Sequence, residues 1–348
     1  MKLAVNLVVW NGSKYIPYLF DSLKKQNFKD FKLYILDNNS TDNTKELIKK
    51  ELESVDFEYQ FFENKENIGF AGGHNYLYKK INEEYFLLLN QDMYLESDCI
   101  YKLINFLDKN PDVATVSPRL MKWDFVNIEN GLEKSFTNII DTLGLKLKRS
   151  RQVTELFTEY NWQDIKDNFK DNKLEVFGVS GALPVFRKKT IDKIRFSEKE
   201  FLDSDYHSYK EDVDLAYRLT SAGEKSIVLL DIVTYHDRTA SGLKKINKKN
   251  ILKNKQKQSE YIKYNSYKNH LLTIYKNEYW QNYIVDFFFI LWYELRKLLY
   301  YLVFDRKVLK AWIDVFKLRK KMKNKRKIIK KTRKLNWREF RKFIKIKY

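Results

Sequence analysis

A single cysteine, Cys99, stands in a chain of 348 residues. It excludes an internal disulfide and any cysteine-cluster metal site. Proline is scarce, with four residues, and glycine numbers ten. That scarcity argues against disordered, collagen-like or low-complexity character. No segment repeats. The opening stretch "MKLAVNLVVWNGS" has one lysine and a short apolar run. No small-residue cleavage site follows and β-branched residues dominate, so it reads as a first buried strand. The chain is expected to stay in the cytosol.

What is present is apolar and aromatic residues, at 44% and 16%, in a chain long enough for a substantial core. The net charge of +20 is unevenly spread. From Ser241 onward there are 32 Lys and Arg against 7 Asp and Glu; residues 1–240 hold the remaining 34 and 39 of the totals of 66 and 46. Two parts are therefore expected: a slightly acidic domain over 1–240 and a basic, aromatic-rich helical region over 241–348.

The first 120 residues alternate in βαβ fashion. Strands are expected at Leu3–Val9, Lys32–Asp37, Tyr59–Glu63, Tyr85–Asn90 and Val113–Val116. Helical spacing lies between them, as in Ile16, Leu19, Phe20 and Leu23. This pattern predicts an α/β, mostly parallel sheet with helices on both faces. Such sheets bind ligands beyond the carboxyl ends of their strands. Polar residues gather there: Asn11-Gly12-Ser13, the run "DNNSTDNT" from Asp37, "NKENIGFAGGHN", and Asn90-Gln91-Asp92. Region 120–175 is mixed and carries no assignable motif. A strand-like run follows at 176–189, then a helix from Glu211 to Ala222 and a strand ending at Tyr235-His236.

Asp37 lies too far ahead of the next helix to cap it, and a carboxylate there suits a base or ribose. Gly69, Gly72 and Gly73 precede a helical stretch and could bring backbone N–H groups to a phosphate. Asp92 and His236, each at or near a strand end, could share one rim and hold a hard divalent cation. Glu211, Asp212 and Asp214 sit in one turn at a helix start, where a carboxylate could act as general base.

These motifs in this order resemble the inverting family 2 glycosyltransferases, in particular the rhamnosyltransferase-like enzymes of cell-surface polysaccharides with the GT-A fold. The carrying segments are "VVWNGSKYIPYLFDSLKKQNFKDFKLYILDNNSTDNT", "NIGFAGGHN", "LLLNQD", "VSGALPVFRK", "YKEDVDLAYRLTSAG" and "TYH". The resemblance implies a nucleotide-diphosphate sugar donor, dTDP-rhamnose-like or a UDP-sugar, and a lipid-linked or polysaccharide acceptor. It implies a donor pocket made by Asn11, Asp37, Asn39, Ser40, Asn67, Gly69, Gly72, Asn75, Asn90 and Gln91. It assigns Mg²⁺ or Mn²⁺ to Asp92, the last acid of a degenerate D-x-D, and to His236. Asp212 becomes the catalytic base, supported by Glu211 and Asp214. His74 stands where the family often has Asn, and Trp10 where it has a small residue or Thr. The alternative is a non-catalytic sugar-nucleotide- or RNA-binding protein, which the joint presence of Asp92, Asp212 and His236 disfavours.

The segment Tyr279–Phe304 is aromatic but interrupted by Asp286, Glu294, Arg296 and Lys297, which fall on one polar arc. That predicts an amphipathic helix in a membrane interface rather than a span, followed by the basic "KLRKKMKNKRKIIKKTRK". The other reading is a helical hairpin packed on the first domain. Together these expectations place the chain at the inner face of the cell membrane, on an anionic surface. Nucleic acid is a weaker partner, because the charge comes with a wide apolar face.

Overall fold

The computed structural model describes residues 1–238 and 258–346. The boundary expected at 240 lies outside the described residues. Strands β1 (Leu3–Val9), β2 (Phe31–Asp37), β3 (Glu58–Glu63) and β4 (Tyr85–Leu89) are parallel, in the order β3-β2-β1-β4. Further along the chain come β5 (Met93–Leu95), β6 (Val113–Trp123), β7 (Phe136–Thr142), β8 (Leu145–Leu147), β9 (Val153–Glu155), β10 (Lys173–Val176), β11 (Val185–Arg187) and β12 (Lys225–His236). The sheet continues from β4 as β11-β6-β12-β10, with β6 and β12 parallel to each other and β10 and β11 antiparallel to their neighbours.

Alternation along β1 explains the layering. Leu3, Val5, Leu7 and Val9 pack on one face with α1 (Ile16–Lys24), α2 (Thr44–Leu52) and α4 (Cys99–Lys109). Ala4 packs on the other face, with α3 (Gly69–Tyr78), α5 (Lys188–Ile194) and α6 (Glu211–Ser221). α1 alone buries Ile16, Leu19, Phe20 and Leu23, each contributing about 1.5–3 kcal/mol.

Two sequence expectations change. β6, expected to stop at Val116, runs on to Trp123, where β12 and β7 cover it on either side. The run 176–189 is not one strand. Val176 ends β10, and the chain returns to the sheet only at Val185–Arg187, after Pro184, which has no N–H to donate within a ladder.

The C-terminal region comprises α7 (Glu260–Asn277), α8 (Trp280–Val285), α9 (Phe287–Phe304), α10 (Lys310–Thr332) and α11 (Trp337–Lys345). The single amphipathic helix expected over 279–304 is broken at Asp286. That carboxylate is fully buried and accepts from Arg149 Nε (2.7 Å), Arg151 Nη1 (3.0 Å) and both terminal nitrogens of Arg341 (2.7 and 2.9 Å). The region also packs on the sheet domain, as the hairpin reading expected: Phe340 of α11 stacks on Tyr217 of α6 with rings 5.7 Å apart.

Candidate functional site

Because β1, β2, β3, β4, β6 and β12 all run the same way, their carboxyl ends share one edge of the sheet. Along its β1–β2–β3 side, short turns hold one another. Asn11 has a left-handed backbone (φ 47°), and its Oδ1 accepts from Thr41 N at 2.8 Å. Its own N–H donates to Ser40 Oγ at 3.0 Å. Asp37, the fully buried last residue of β2, accepts from Ser40 N through Oδ2 and has no partner at Oδ1. A buried carboxylate oxygen without a donor is costly, so Asp37 is suited to receive an N–H or O–H from a ligand. Asn39 (φ 68°) forms the turn between them.

The central element is a cleft of about 750 Å³. It collects Asn90, Asp92, Glu211, Asp212 and His236, five of the residues singled out from sequence. Its lining carries six carboxyl groups (Asp92, Asp141, Glu155, Glu159, Glu211, Asp212) against Lys122, Lys210, Arg238 and His236. β5 explains why Asp92 meets His236: its antiparallel register pairs Met93 with His236, so residue 92 falls beside 236 and 237. Asp92 Oδ1 lies 3.4 Å from His236 Nε2.

The other ring nitrogen of His236, Nδ1, is 2.9 Å from Asp141 Oδ2. Asp141 is the extra residue of a bulge, since Leu120 pairs with Thr142 and Met121 with Ile140. Bulges often re-aim a side chain beside a site. This arrangement fits a divalent cation. With a cation in place of the Nε2 proton, Asp141 would accept the Nδ1 proton and the Nε2 lone pair would face the ion beside the Asp92 carboxylate, one imidazole and one oxygen ligand at a common point. Burial works against charging His236, yet Asp92 and the bonded Asp141 push its pKa up to about 10. The same negative field would attract a metal ion. Arg238 completes the wall, with Nε 3.3 Å from Asp141 Oδ1 and Nη2 3.1 Å from Glu155 Oε1.

On the facing wall, α6 starts after three residues with left-handed backbones, His207, Tyr209 and Lys210. Asp212 Oδ1 takes its neighbour's Val213 N–H at 2.8 Å, and Oδ2 takes the Gly181 N–H at a long 3.4 Å. Its oxygens have capacity left for a substrate hydroxyl. Glu211 is buried with Oε1 unpartnered, and desolvation pushes its pKa up to about 8.

The structure corrects several assignments made from sequence. Asp214 turns away from the cleft: it is fully buried, with Oδ2 3.0 Å from Arg218 Nε and Oδ1 2.7 Å from Asn277 Nδ2 and 2.9 Å from Lys276 Nζ. At positions three residues apart in a helix's first turn, Glu211 and Asp214 can face similarly, but tertiary charges draw Asp214 into the core. Asn75 is buried and fully engaged, donating to Leu202 O and Ser204 Oγ and accepting from Phe201 N and Leu202 N. It clamps the 201–204 segment. Asn67 holds a turn, accepting from Gly69 N and Asn38 Nδ2.

Gly69 and Gly72 lie inside α3 rather than ahead of it, and the first three amides of that helix are taken by protein atoms. Gly69 N donates to Asn67, Phe70 N to Ser208 Oγ and Ala71 N to His207 O. Gly69 itself is required, since its φ is +75° and a Cβ would lie 2.3 Å from His207 O. Gln91 ties down the end of β1 through Trp10 N and O, at 2.9 and 3.1 Å.

Asp141, Glu155, Glu159, Lys122 and Arg238 were missed. Four of them lie in 120–175, where no local pattern marks them. The late Asp and Arg of "HDR" were legible as charge beside His236. A second acidic group, Glu200, Asp203 and Asp205, has spacing suited to a cation. Lys325 Nζ sits 2.7, 2.5 and 3.0 Å from the three, so an ammonium already supplies the charge.

The model of glycosyl transferase family 2 matches residues 5–193, more than half of the chain. Among curated proteins, the teichoic acid poly(glycerol phosphate) polymerase of Staphylococcus epidermidis is 29% identical over 138 residues, covering 37% of this chain and 19% of that protein. The poly(ribitol-phosphate) β-N-acetylglucosaminyltransferase TarS of Staphylococcus aureus is 28% identical over 113 residues, 32% of this chain and 19% of that protein. The chain thus aligns with about a fifth of the length of these relatives. Among solved structures, S. aureus TarS 1-349 gives a TM-score of 0.54 at 16% identity, covering 95% of this chain and 90% of that one. GalNAc-T7 with UDP, GalNAc and Mn²⁺ gives 0.58 at 12%, covering 79% and 48%. At such identities the likeness is one of fold, the GT-A fold. With the motif order, the mostly parallel sheet and the family match in agreement, the chain belongs to glycosyl transferase family 2.

Proposed function

We propose that the chain transfers a sugar from a nucleotide-diphosphate donor to a hydroxyl of a lipid-linked or polysaccharide glycan acceptor, with inversion, in cell-surface glycan synthesis. The observation that carries this reading is the convergence of Asp92, His236 and Asp212 on one cleft. Asp37, with its unpartnered oxygen, serves the base or ribose of the donor. GalNAc-T7 and TarS 1-349 were solved with UDP, which makes a uridine donor the first to test.

A Mg²⁺ or Mn²⁺ ion held by Asp92 and His236 Nε2 would offset charge on the leaving diphosphate. Asp212 accepts the acceptor's hydroxyl proton as that oxygen bonds to the anomeric carbon and the bond to the diphosphate oxygen breaks. One displacement with no enzyme nucleophile inverts the carbon. Glu211 keeps its own proton near neutral pH, so it adds no competing base beside Asp212. The division of labour is residues 1–240 for chemistry and 241–348 for placement at the inner face of the membrane.

Calorimetric titration with UDP, dTDP and GDP, in Mn²⁺, Mg²⁺ or EDTA, tests the reading. Metal-dependent binding of UDP that is lost in Asp92→Ala is expected. Absence of binding to every nucleotide overturns it.

A further inference from the structure

Three of the four charged residues between Asp286 and Lys297 are turned inward. Asp286 is buried among three arginines, Glu294 lies 2.7 Å from His270 Nε2, and the Lys297 ammonium sits 4.5 Å from the centre of the Tyr267 ring. Apart from Arg296, what α9 shows to solvent is apolar. Phe288, Leu291, Trp292, Leu295, Leu299 and Val303 recur at three- and four-residue steps, forming one stripe about 120° wide. Phe288 is 80% exposed and Trp292 63%. Among the described residues, 17 of the 25 exposed large hydrophobic side chains fall between Trp280 and Phe316, so the patch is a built feature rather than scattered noise. A 3₁₀ turn, Arg306–Leu309, leads from α9 into α10, whose start adds Trp312, Ile313 and Phe316.

We propose that this face is a docking surface for an anionic lipid bilayer, with α9 lying parallel to the membrane and its aromatic stripe among the headgroups. The proposal deepens the placement given above and rests on that reading for the nature of the acceptor. Charge selects this occupant over a second copy of the chain. α10 carries eleven Lys and Arg against the single Asp314, and Lys317, Arg319 and Lys320 are exposed beside Phe316. Two copies meeting through this face would bring those cations together, whereas an anionic leaflet attracts them. No helix among the described residues is long and apolar enough to cross a membrane. A helix with one apolar face, Trp and Phe on it and Lys and Arg beside it, lies in the interface instead.

Flotation of the full chain with vesicles of phosphatidylcholine alone, or mixed with phosphatidylglycerol, tests this directly. Binding to the anionic vesicles, weakened by salt, is expected. The double change Phe288→Glu with Trp292→Glu lowers partition about tenfold or more, and Lys317→Gln with Lys320→Gln lowers it less. UDP titration of each variant reports the fold and the donor site, so loss of lipid binding with intact UDP binding strikes the docking surface alone. Equal binding to both vesicle types, binding to neither, or a concentration-dependent dimer that the Phe288/Trp292 variant dissolves overturns the proposal.

Discussion

Helix α6 stands between two charge clusters built on opposite plans. On one side, Asp203, Asp205, Glu200 and Asp214 meet Lys276, Lys321, Lys325 and Arg218, four carboxylates for four cations. Asp203, Asp214, Lys276 and Arg218 are fully buried. On the other side, the cleft holds six carboxyl groups against three Lys or Arg and one histidine. The balanced cluster is sealed and joins the C-terminal helices to the sheet domain. The unbalanced one is open, with more carboxyl groups than cations. Two residues of one turn, Asp212 and Asp214, are thereby sent to different tasks.

The largest separation of these tasks comes from Asp212. Asp212→Asn should lower turnover by about 10²–10⁴-fold, the usual worth of a general base, with UDP affinity and thermal stability nearly unchanged. Steady-state kinetics beside calorimetry reads this. A variant retaining full turnover would remove Asp212 from the chemistry.

Lys276→Met should do the reverse. Lys276 Nζ bridges Asp203 and Asp214, all three fully buried, and removing it strands two carboxylates. Breaking a buried pair in this way costs about 3–5 kcal/mol. Urea unfolding should show that loss. If stability holds, the sealed cluster is not what binds α7 to α6.

Glu211 lies at the border of the two clusters and makes a pH prediction. Burial raises its folded pKa from 4.5 to about 8. Below pH 4.5 it is protonated in both states. Between there and about pH 8 the unfolded chain releases the proton while the folded one keeps it, so this residue's contribution to stability falls as pH rises and then levels off. Glu211→Gln should flatten that slope and gain about 2–4 kcal/mol at pH 8 relative to pH 4. Unfolding midpoints across that range check it, and an unchanged slope would mean that Glu211 is solvated.

These clusters also mark what the sequence could reveal. The sheet was legible because βαβ spacing and apolar alternation are local: β1 and α1 answer to their own residues. The polar strand ends were legible for the same reason, and Asp92 and His236 do meet. Region 120–175 was opaque because Asp141 acts through a bulge set by pairing with β6, a contact across 95 residues to His236. The inward turn of Asp286 needed Arg149, Arg151 and Arg341, which are distant in sequence. Charge that is neutralised over long range has no local signature, so Asp212 and Asp214 looked alike.

Asp141 gives the smallest and most specific test of the open cluster. It lines the cleft but is 1% exposed, and its Oδ2 is bonded to Nδ1 of His236 on the side away from Asp92. A carboxylate in that position fixes which ring nitrogen carries the proton and how the ring is turned. Asp141→Asn keeps the size but can present an amide N–H to Nδ1, which would favour the wrong tautomer. Loss of such an outer partner typically lowers metal affinity 10–100-fold. Mn²⁺ titration in the presence of UDP should show a fall in that range, with UDP binding in EDTA unaffected. An unchanged Mn²⁺ affinity would separate His236 from the metal and leave Asp92 to bind it without the imidazole.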